Sequence, residues 1–405
     1  CALPISDRYI STLSTSVDSW IIDGKKVQST QKPTIVSSTL TWEKVTTLDL
    51  GLDARFFNDA LGVTFDWYNR TTSDILTTAN LPATLGADAP YENMGTIQTK
   101  GWELAIDYRH TFKNGLHFGV TASVADDKTE VTKWTYNTKI PSYGATGWWD
   151  KSAYKEGMVL GDIWGLQFDR FLTEDDFNAD GSLKAGLPDQ TKVFPAGYQF
   201  APGDVLYKDL DNNGEIVKQT NTNDKGDLSV IGNALPRLQF GLNLDAAWKG
   251  FDISMFFQGV AKRKLWAAGN QVLPGFTTGE PFYKGAEDYW TPENTDAFYP
   301  RPMDYKQSAS GNYSVNDRYL LNMAYLRLKT FTVGYSLPKV WLSKFKVQGL
   351  RVYFTGENLF TIDGVKPAID PEIGIRTASG KSDQRNFGRS YPYQKTVSFG
   401  IQLSL

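Results

Sequence analysis

Residues 237–259, RLQFGLNLDAAWKGFDISMFFQG, decide how the rest of the chain is read. One face of the first arm carries Leu238, Phe240, Leu242, Leu244, Ala246 and Trp248; the other carries Arg237, Gln239, Gly241, Asn243, Asp245 and Ala247. After Lys249-Gly250 the alternation resumes, with Phe251, Ile253, Met255 and Phe257 set against Asp252, Ser254 and Gln258. Period-two alternation across a two-residue turn is the mark of an antiparallel hairpin. Each arm has about ten residues, the length a tilted strand needs to cross a bilayer, whereas soluble strands average about five to six. Trp248 and Phe251 close the apolar face beside the turn, where an interfacial aromatic girdle would lie. The stretch reads as two spans of an outer-membrane barrel.

The same design recurs outward from it. Residues 43–56 alternate through Leu48, Leu50, Leu52, Ala54 and Phe56, and a turn at 57–60 leads into Leu61, Val63, Phe65 and Trp67. Residues 98–110 place Trp102, Leu104, Ile106 and Tyr108 on one face. The turn 111–115 then leads to Leu116, Phe118, Val120, Ala122 and Val124. Strands follow at 324–336, 348–358 and 396–405. In 324–336, Leu326 and Leu328 fit one face while Phe331, Val333 and Tyr335 fit the other, so a bulge near Lys329 is expected. Residues 1–42 show no sustained period and read as a loop or extension. Short turns (57–60, 111–115, 249–250, 337–347) alternate with long loops (73–97, 130–236, 261–323, 359–394). In an up-and-down meander this gathers the long loops at one end, as in outer-membrane barrels. About nine strands is an odd number, and open edges in lipid would leave backbone groups unpaired. Residues 43–405 are therefore expected to be the C-terminal portion of a larger barrel.

Composition narrows the class. Of 405 residues 41% are hydrophobic but 14% aromatic, a pairing suited to a polar lumen with aromatic belts. No run of 18 apolar residues exists, so no transmembrane helix is expected. A net charge of −3 without a basic tract argues against nucleic acid as a partner. The single cysteine, Cys1, excludes internal disulfides; it is either the lipid-bearing residue of a processed lipoprotein or a position inside a longer chain. His110 and His117 are the only histidines and flank a short turn, with no metal set or nucleophile nearby. Paired carboxylates such as Glu287 and Asp288 read as solvated loop charges. The chain is not expected to be an enzyme.

Several motifs together resemble the C-terminal half of SusC/RagA-type TonB-dependent transporters of Bacteroidetes. They are LTWEKVTTLDLGLDARFFNDALGVTFDWYNRTTSDIL (40–76), ENMGTIQTKGWELAIDY (92–108), GDIWGLQFDRF (161–171), PGDVLYKDLDNNGE (202–215), VIGNALPRLQFGLN (230–243), YLRLKTFTVGYSLPK (325–339), LRVYFTGENLFT (350–361) and IDPEI (369–373). The match runs through nearly all of 40–405 in the family's order. The resemblance implies the last nine strands of a 22-stranded antiparallel barrel in the outer membrane. It implies import of oligosaccharides or, in some members, peptides, beneath a SusD-like surface lipoprotein. TonB and a plug domain would act through the part of the protein that precedes these residues. One departure is Leu405 where the family's terminal residue is more often aromatic. A surface glycan-binding β-protein without transport, and a glycoside-active enzyme on an all-β fold, are the competing readings.

Three groups of residues carry possible chemistry. Trp148, Trp149, Trp164, Trp290 and Tyr313 fall on the long loops, where they either stack on sugar rings or pack the loops and a partner. Asp66, Arg70, Glu103, Asp107, Arg109 and Asp245 fall on the polar strand face, where they either line a solute path or pair across strands. Asp209, Asp211 and Asn213 in DLDNNG fit the first half of a calcium loop. Position 12 of that loop is Thr220 rather than glutamate, so Asp224 or Asp227 would have to complete the ligand set; a plain Asx turn is the alternative. No other cofactor is expected.

Overall fold

The computed structural model describes residues 11, 15–30, 35–78, 89–135, 154–218, 226–267, 269–276, 282–303, 311–342, 347–366, 369–372 and 393–404. In chain order its strands are β1 (Thr15–Ile22), β2 (Lys25–Thr30), β3 (Lys44–Phe56), β4 (Leu61–Thr78), β5 (Tyr91–Thr111), β6 (His117–Trp134), β7 (Asp162–Gly165), β8 (Phe168–Phe171), β9 (Val205–Tyr207), β10 (Ser229–Asn233), β11 (Arg237–Trp248), β12 (Phe251–Lys262), β13 (Lys264–Leu265), β14 (Leu321–Asn322), β15 (Tyr325–Ser336), β16 (Gly349–Asp363) and β17 (Thr396–Ser404). One helical turn, α1 (Lys339–Leu342), sits between β15 and β16. Nine of the strands form one antiparallel sheet in the order β17-β16-β15-β12-β11-β6-β5-β4-β3. This meander is a partial barrel wall, with β3 and β17 at its edges.

Register turns the sequence alternation into two chemically distinct faces. Phe56, Leu61, Tyr108, Val120, Leu244, Met255 and Phe331 pair in one row across seven strands. Trp248, Phe251, Tyr335, Val352 and Ile401 form a parallel row. On the opposite face Asp66, Glu103, Ala125 and Gln239 pair in a row, as do Arg109, Gly119 and Asp245. The apolar face is bare: Leu48, Leu50, Leu52, Phe399 and Ile401 are exposed, Phe399 by 82%. In water that face would oppose folding; against lipid it is what a barrel wall requires.

The turn at Lys249-Gly250 has φ of 49° and 91°, both left-handed, as a two-residue primed hairpin turn demands. The bulge expected near Lys329 is present. Pairing shifts between Phe256 and Phe257 on one side of β15 and between Leu328 and Thr330 on the other, so Lys329 is the extra residue. Leu238, assigned to the apolar face from sequence, has φ of 52°, and its N–H donates to Asp126 at 3.0 Å. The residues at the start of β11 are thus governed by that clamp rather than by the face.

The long loops differ from expectation at their edges. Strand β4 runs to Thr78 and β5 begins at Tyr91, inside the expected loop 73–97. Likewise β6 reaches Trp134, β12 reaches Lys262 and β16 reaches Asp363. Beyond the membrane both strand faces meet water or protein, so nothing there enforces alternation, and the pattern fades before the strand does. Within 1–42, β1 and β2 pair as a hairpin around Asp23-Gly24.

The loops 130–236 and 261–323 are not separate excursions. Among the described residues, the largest fully buried side chains, including Ile163, Leu166, Tyr207, Leu273, Tyr313, Tyr319 and Met323, lie between residues 163 and 323. One cluster joins Ile163 and Ala234 from the first loop to Trp266, Leu273, Tyr299 and Tyr313 from the second. The barrel wall has lipid on one side and lumen on the other, so the hydrophobic core sits in the loops.

Candidate functional site at the long-loop end

The two loops are bolted together by polar contacts as well as by apolar ones. The carboxylate of Asp204, fully buried, accepts from Arg301 Nε at 2.8 Å, Tyr198 Oη at 2.9 Å, Asn312 Nδ2 at 2.9 Å and Ala201 N at 2.9 Å. Burial, then the charge of Asp204, pushes the Tyr198 hydroxyl well above its ordinary range. Tyr207 Oη donates to Gly311 O at 2.9 Å, and Leu166 N donates to Val315 O at 2.9 Å. The Arg318 guanidinium lies 4.3 Å from the Phe168 ring centre and 5.0 Å from that of Phe171, while donating to the carbonyl of Phe298 at 2.9 Å. Arg170 grips Asp176 with two bonds of 2.6 and 2.8 Å, which hold the carboxyl at about 2. Asp204 and Asp176 are thus both buried and paired, and the Asp204–Arg301 pair ties the two loops into one body.

On the surface of this body lies a cleft of about 590 Å³. Its floor is Tyr299 and Tyr313, both buried, and its walls include Pro274, Pro300 and Pro302. Tyr299 Oη is spent on Val272 O at 3.1 Å, and burial with the nearby Asp288 charge pushes this hydroxyl up to about 12. The rim carries three exposed rings, Phe282, Tyr283 and Tyr289, with Lys284 and Glu287 beside them. Flat rings around a concavity of this size, with few polar groups, suit a ligand that offers ring faces or apolar side chains. Sequence reasoning missed these rim residues. The only signal is the aromatic density of the run Phe282-Tyr-Lys-Gly-Ala-Glu-Asp-Tyr-Trp290, which has no strand or helix period to orient its rings.

The aromatic residues singled out from sequence stand elsewhere. Trp148 and Trp149 lie outside the described residues. Trp290 is 7% exposed and packs into the loop core over Gly203, where a Cβ would come within 2.4 Å of its ring. Trp164, on β7, packs against the same cluster with its Nε1 shut off from solvent. Tyr313 is 2% exposed and reaches a ligand only as cleft floor. Of the two alternatives, stacking on sugar rings or packing the loops, Trp290 takes the second and Trp164 lies half-buried against the same cluster, because a loop body with its own core draws its largest rings inward.

The six charged residues expected on the lumen side all share the polar sheet face. Asp66 and Glu103 are cross-strand neighbours and line a shallow hollow of about 540 Å³ with Thr64, Ser123, Gln239 and Gln258. Arg109 and Asp245 line a second hollow of about 350 Å³ with Thr121, Asn243 and Ser254. Asp107 accepts from Arg55 at 2.7 Å, and Asp245 lies 3.4 Å from His117 Nε2. Arg70 is on the same face, between Thr47 and Thr99.

The DLDNNG loop brings carboxylate oxygens of Asp209, Asp211 and Asp227 within 4.8 Å of one another. Thr220 and Asp224 lie outside the described residues. Asp227 is buried and caps Leu210 N at 2.7 Å and Val217 N at 2.8 Å. Partial desolvation, then the charge of Asp227, raises the Asp211 carboxyl above its ordinary value. The Asp209 carboxyl is likewise desolvated, yet it falls below its ordinary value because backbone N–H groups, Gly214 first, donate to it. Asn213 turns its side-chain oxygen to Glu215 N at 2.7 Å. Oxygen atoms so placed match the ligand chemistry of a hard divalent cation, with Asp227 rather than Asn213 as third donor.

Comparisons with known proteins agree with this architecture. A model of the TonB-dependent receptor-like β-barrel family matches residues 5–198. TonB-dependent receptor P3 of Formosa agariphila is 27% identical over 395 residues, which is 95% of this chain and 36% of the relative. TonB-dependent receptor SusC of Bacteroides thetaiotaomicron is 24% identical over 391 residues, 94% of this chain and 34% of the relative. The chain thus spans about a third of the length of these relatives. Among solved structures, the RagAB peptide transporter superposes with a TM-score of 0.67 at 20% identity, covering 98% of this chain and 38% of that one.

Proposed function

We propose, from a chain that belongs to the SusC/RagA type of TonB-dependent receptor barrel in the outer membrane, that its parent protein imports oligomeric nutrients, oligosaccharides foremost. In this reading the nine strands are pore wall, and the loop body at their long-loop end is the mouth. A SusD-like surface lipoprotein would cover that mouth, and TonB would act through the preceding part of the protein. The chain binds its solute without converting it. The observation that carries the reading is the cleft rimmed by the exposed rings of Phe282, Tyr283 and Tyr289. Rings of this kind stack on sugar faces, and Lys284 and Glu287 offer hydrogen bonds to hydroxyls beside them. Peptide import is the second reading, favoured by the fold shared with the RagAB peptide transporter; apolar side chains would then fill the same cleft.

Titration calorimetry on the detergent-purified full-length receptor, with all co-purifying chains, separates the two. A panel of oligosaccharides and peptides is offered to the wild type and to a Phe282→Ala/Tyr289→Ala variant. Saturable oligosaccharide binding is expected, weakened about tenfold or more in the variant if each lost ring contributes about 1 kcal/mol. Saturation by peptides alone would transfer the cleft to the second reading. Absence of binding by either class would end the transport reading in favour of a surface role.

A further inference from the structure

The four short turns lie together at the end of the sheet opposite the loop body, and they share a composition that strand pairing does not need. Each exposes an aromatic or apolar residue: Phe57 in the first, Phe112 in the second, Trp248 with Phe251 in the third, and Trp341 with Val340 in the fourth. The last three also carry an exposed lysine each, Lys113, Lys249 and Lys339. Residues 111–116, 249–250 and 337–348 contain no carboxylate, whereas the first turn carries Asp59.

The aromatics continue the lipid-facing surface rather than the lumen. Trp248 and Phe251 end the apolar row that runs through Tyr335, Val352 and Ile401, and the Phe251 and Tyr335 ring centres are 4.5 Å apart. Phe112 stacks edge-on against His110, which pairs with outward-facing Phe118. In α1, Leu342 is buried and anchors the turn, so Val340 and Trp341 are left exposed, by 78% and 61%. Phe57 holds its exposed ring on a left-handed backbone (φ 55°), a conformation that a bulky residue adopts at a cost.

The charges sort by face. The paired carboxylates near this end lie on the lumen side, Asp107 with Arg55, Asp245 with His117 and Asp252 with Arg351, while Asp59 belongs to the first turn, which carries no lysine. The turn lysines are not drawn into those pairs; Lys249 instead holds its ammonium 4.5 Å from the Trp248 ring. Aromatic rings at the depth of the acyl boundary, with ammonium groups just beyond, are what a negatively charged headgroup layer selects. We infer that the short-turn rim is a binding collar for anionic phospholipid, with Lys113, Lys249 and Lys339 meeting the phosphates and Phe112, Trp248 and Trp341 seated between the chains below. The occupant is a lipid surface, because the collar continues the lipid-facing belt without a break.

The test is electron paramagnetic resonance of spin-labelled phosphatidylglycerol and phosphatidylcholine with the full-length receptor in phosphatidylcholine bilayers. A preference for phosphatidylglycerol of about threefold is expected, falling toward unity in high salt. The variant Lys113→Gln/Lys249→Gln/Lys339→Gln should lose the preference, and the corresponding triple Arg variant should keep it. Compact migration of each variant on unheated gels reports that the barrel has folded. No preference in the wild type, or an unchanged preference in the folded Gln variant, overturns the inference. This outcome is independent of which solute the cleft takes.

Discussion

Gly101 lacks a side chain because Tyr68 occupies the place where one would stand. A Cβ there would lie 2.4 Å from Tyr68 Cζ and 2.5 Å from its oxygen. The ring lies across the strand from β4 to β5 and covers the bare backbone, so the glycine and the tyrosine act as a pair. Gly101→Val should push the ring off and cost about 1–3 kcal/mol. Gly349→Ala meets only ordinary contacts at 3.6 Å from Ser404 and should be tolerated. The temperature at which each variant loses compact gel mobility checks both; equal midpoints would mean that Tyr68 finds another seat at no cost. Single residues were unevenly legible in the sequence. Asp66, Arg70, Glu103, Asp107, Arg109 and Asp245 fell on one face because strand parity alone puts them there. For Trp290 and Tyr313 the sequence left stacking and loop packing both open, since no periodicity says whether a loop ring faces solvent or a core; both are buried. The rim of Phe282, Tyr283 and Tyr289 is made by a fold of 261–323 that has no repeating pattern to read.

Elements were legible where two environments alternate and opaque where they do not. Lys329 shows the first case: a break in parity was enough to locate a bulge. The Asp209 loop shows both. Its spacing announced oxygen ligands and left Asp224 or Asp227 to complete them; what it could not show is that Asp227, thirteen positions beyond the motif's Gly214, is held beside Asp209 and Asp211 by its buried caps on Leu210 and Val217. Three carboxylates this close repel one another, and a divalent cation would convert that repulsion into a clamp between the two ends of the segment. The expected consequence is a rise of several degrees in the unfolding temperature of the loop body on adding calcium, reversed by chelator and absent in Asp211→Asn. Asp211 is the right position to change, because it is exposed and caps no buried backbone. Calorimetry that finds neither heat of binding nor a shift in unfolding would leave the loop as an Asx turn.

For the whole molecule the decisive quantity is which face of the sheet meets lipid. The nine-strand order and the single lipid-facing surface follow from alternation repeated nine times; the joined loop body does not, because its contacts link residues a hundred positions apart, such as Asp204 and Arg301. Leu244 and Asn243 turn the assignment of faces into a measurement. They are consecutive on β11, near its middle, and differ only in the side of the wall they occupy. Leu244 sits between Val120 and Met255, Asn243 between Thr121 and Phe256. An arginine on the lipid side near mid-depth costs about 2–4 kcal/mol, while one on the lumen side keeps its water. Folding the full-length receptor from denaturant into phospholipid vesicles should therefore show a large loss for Leu244→Arg and a small one for Asn243→Arg. A soluble β-protein with its core on the Leu244 face would also suffer from the first change, but it would fold without vesicles. Dependence on lipid together with the asymmetry identifies a membrane wall, and symmetry between the two variants would refute it.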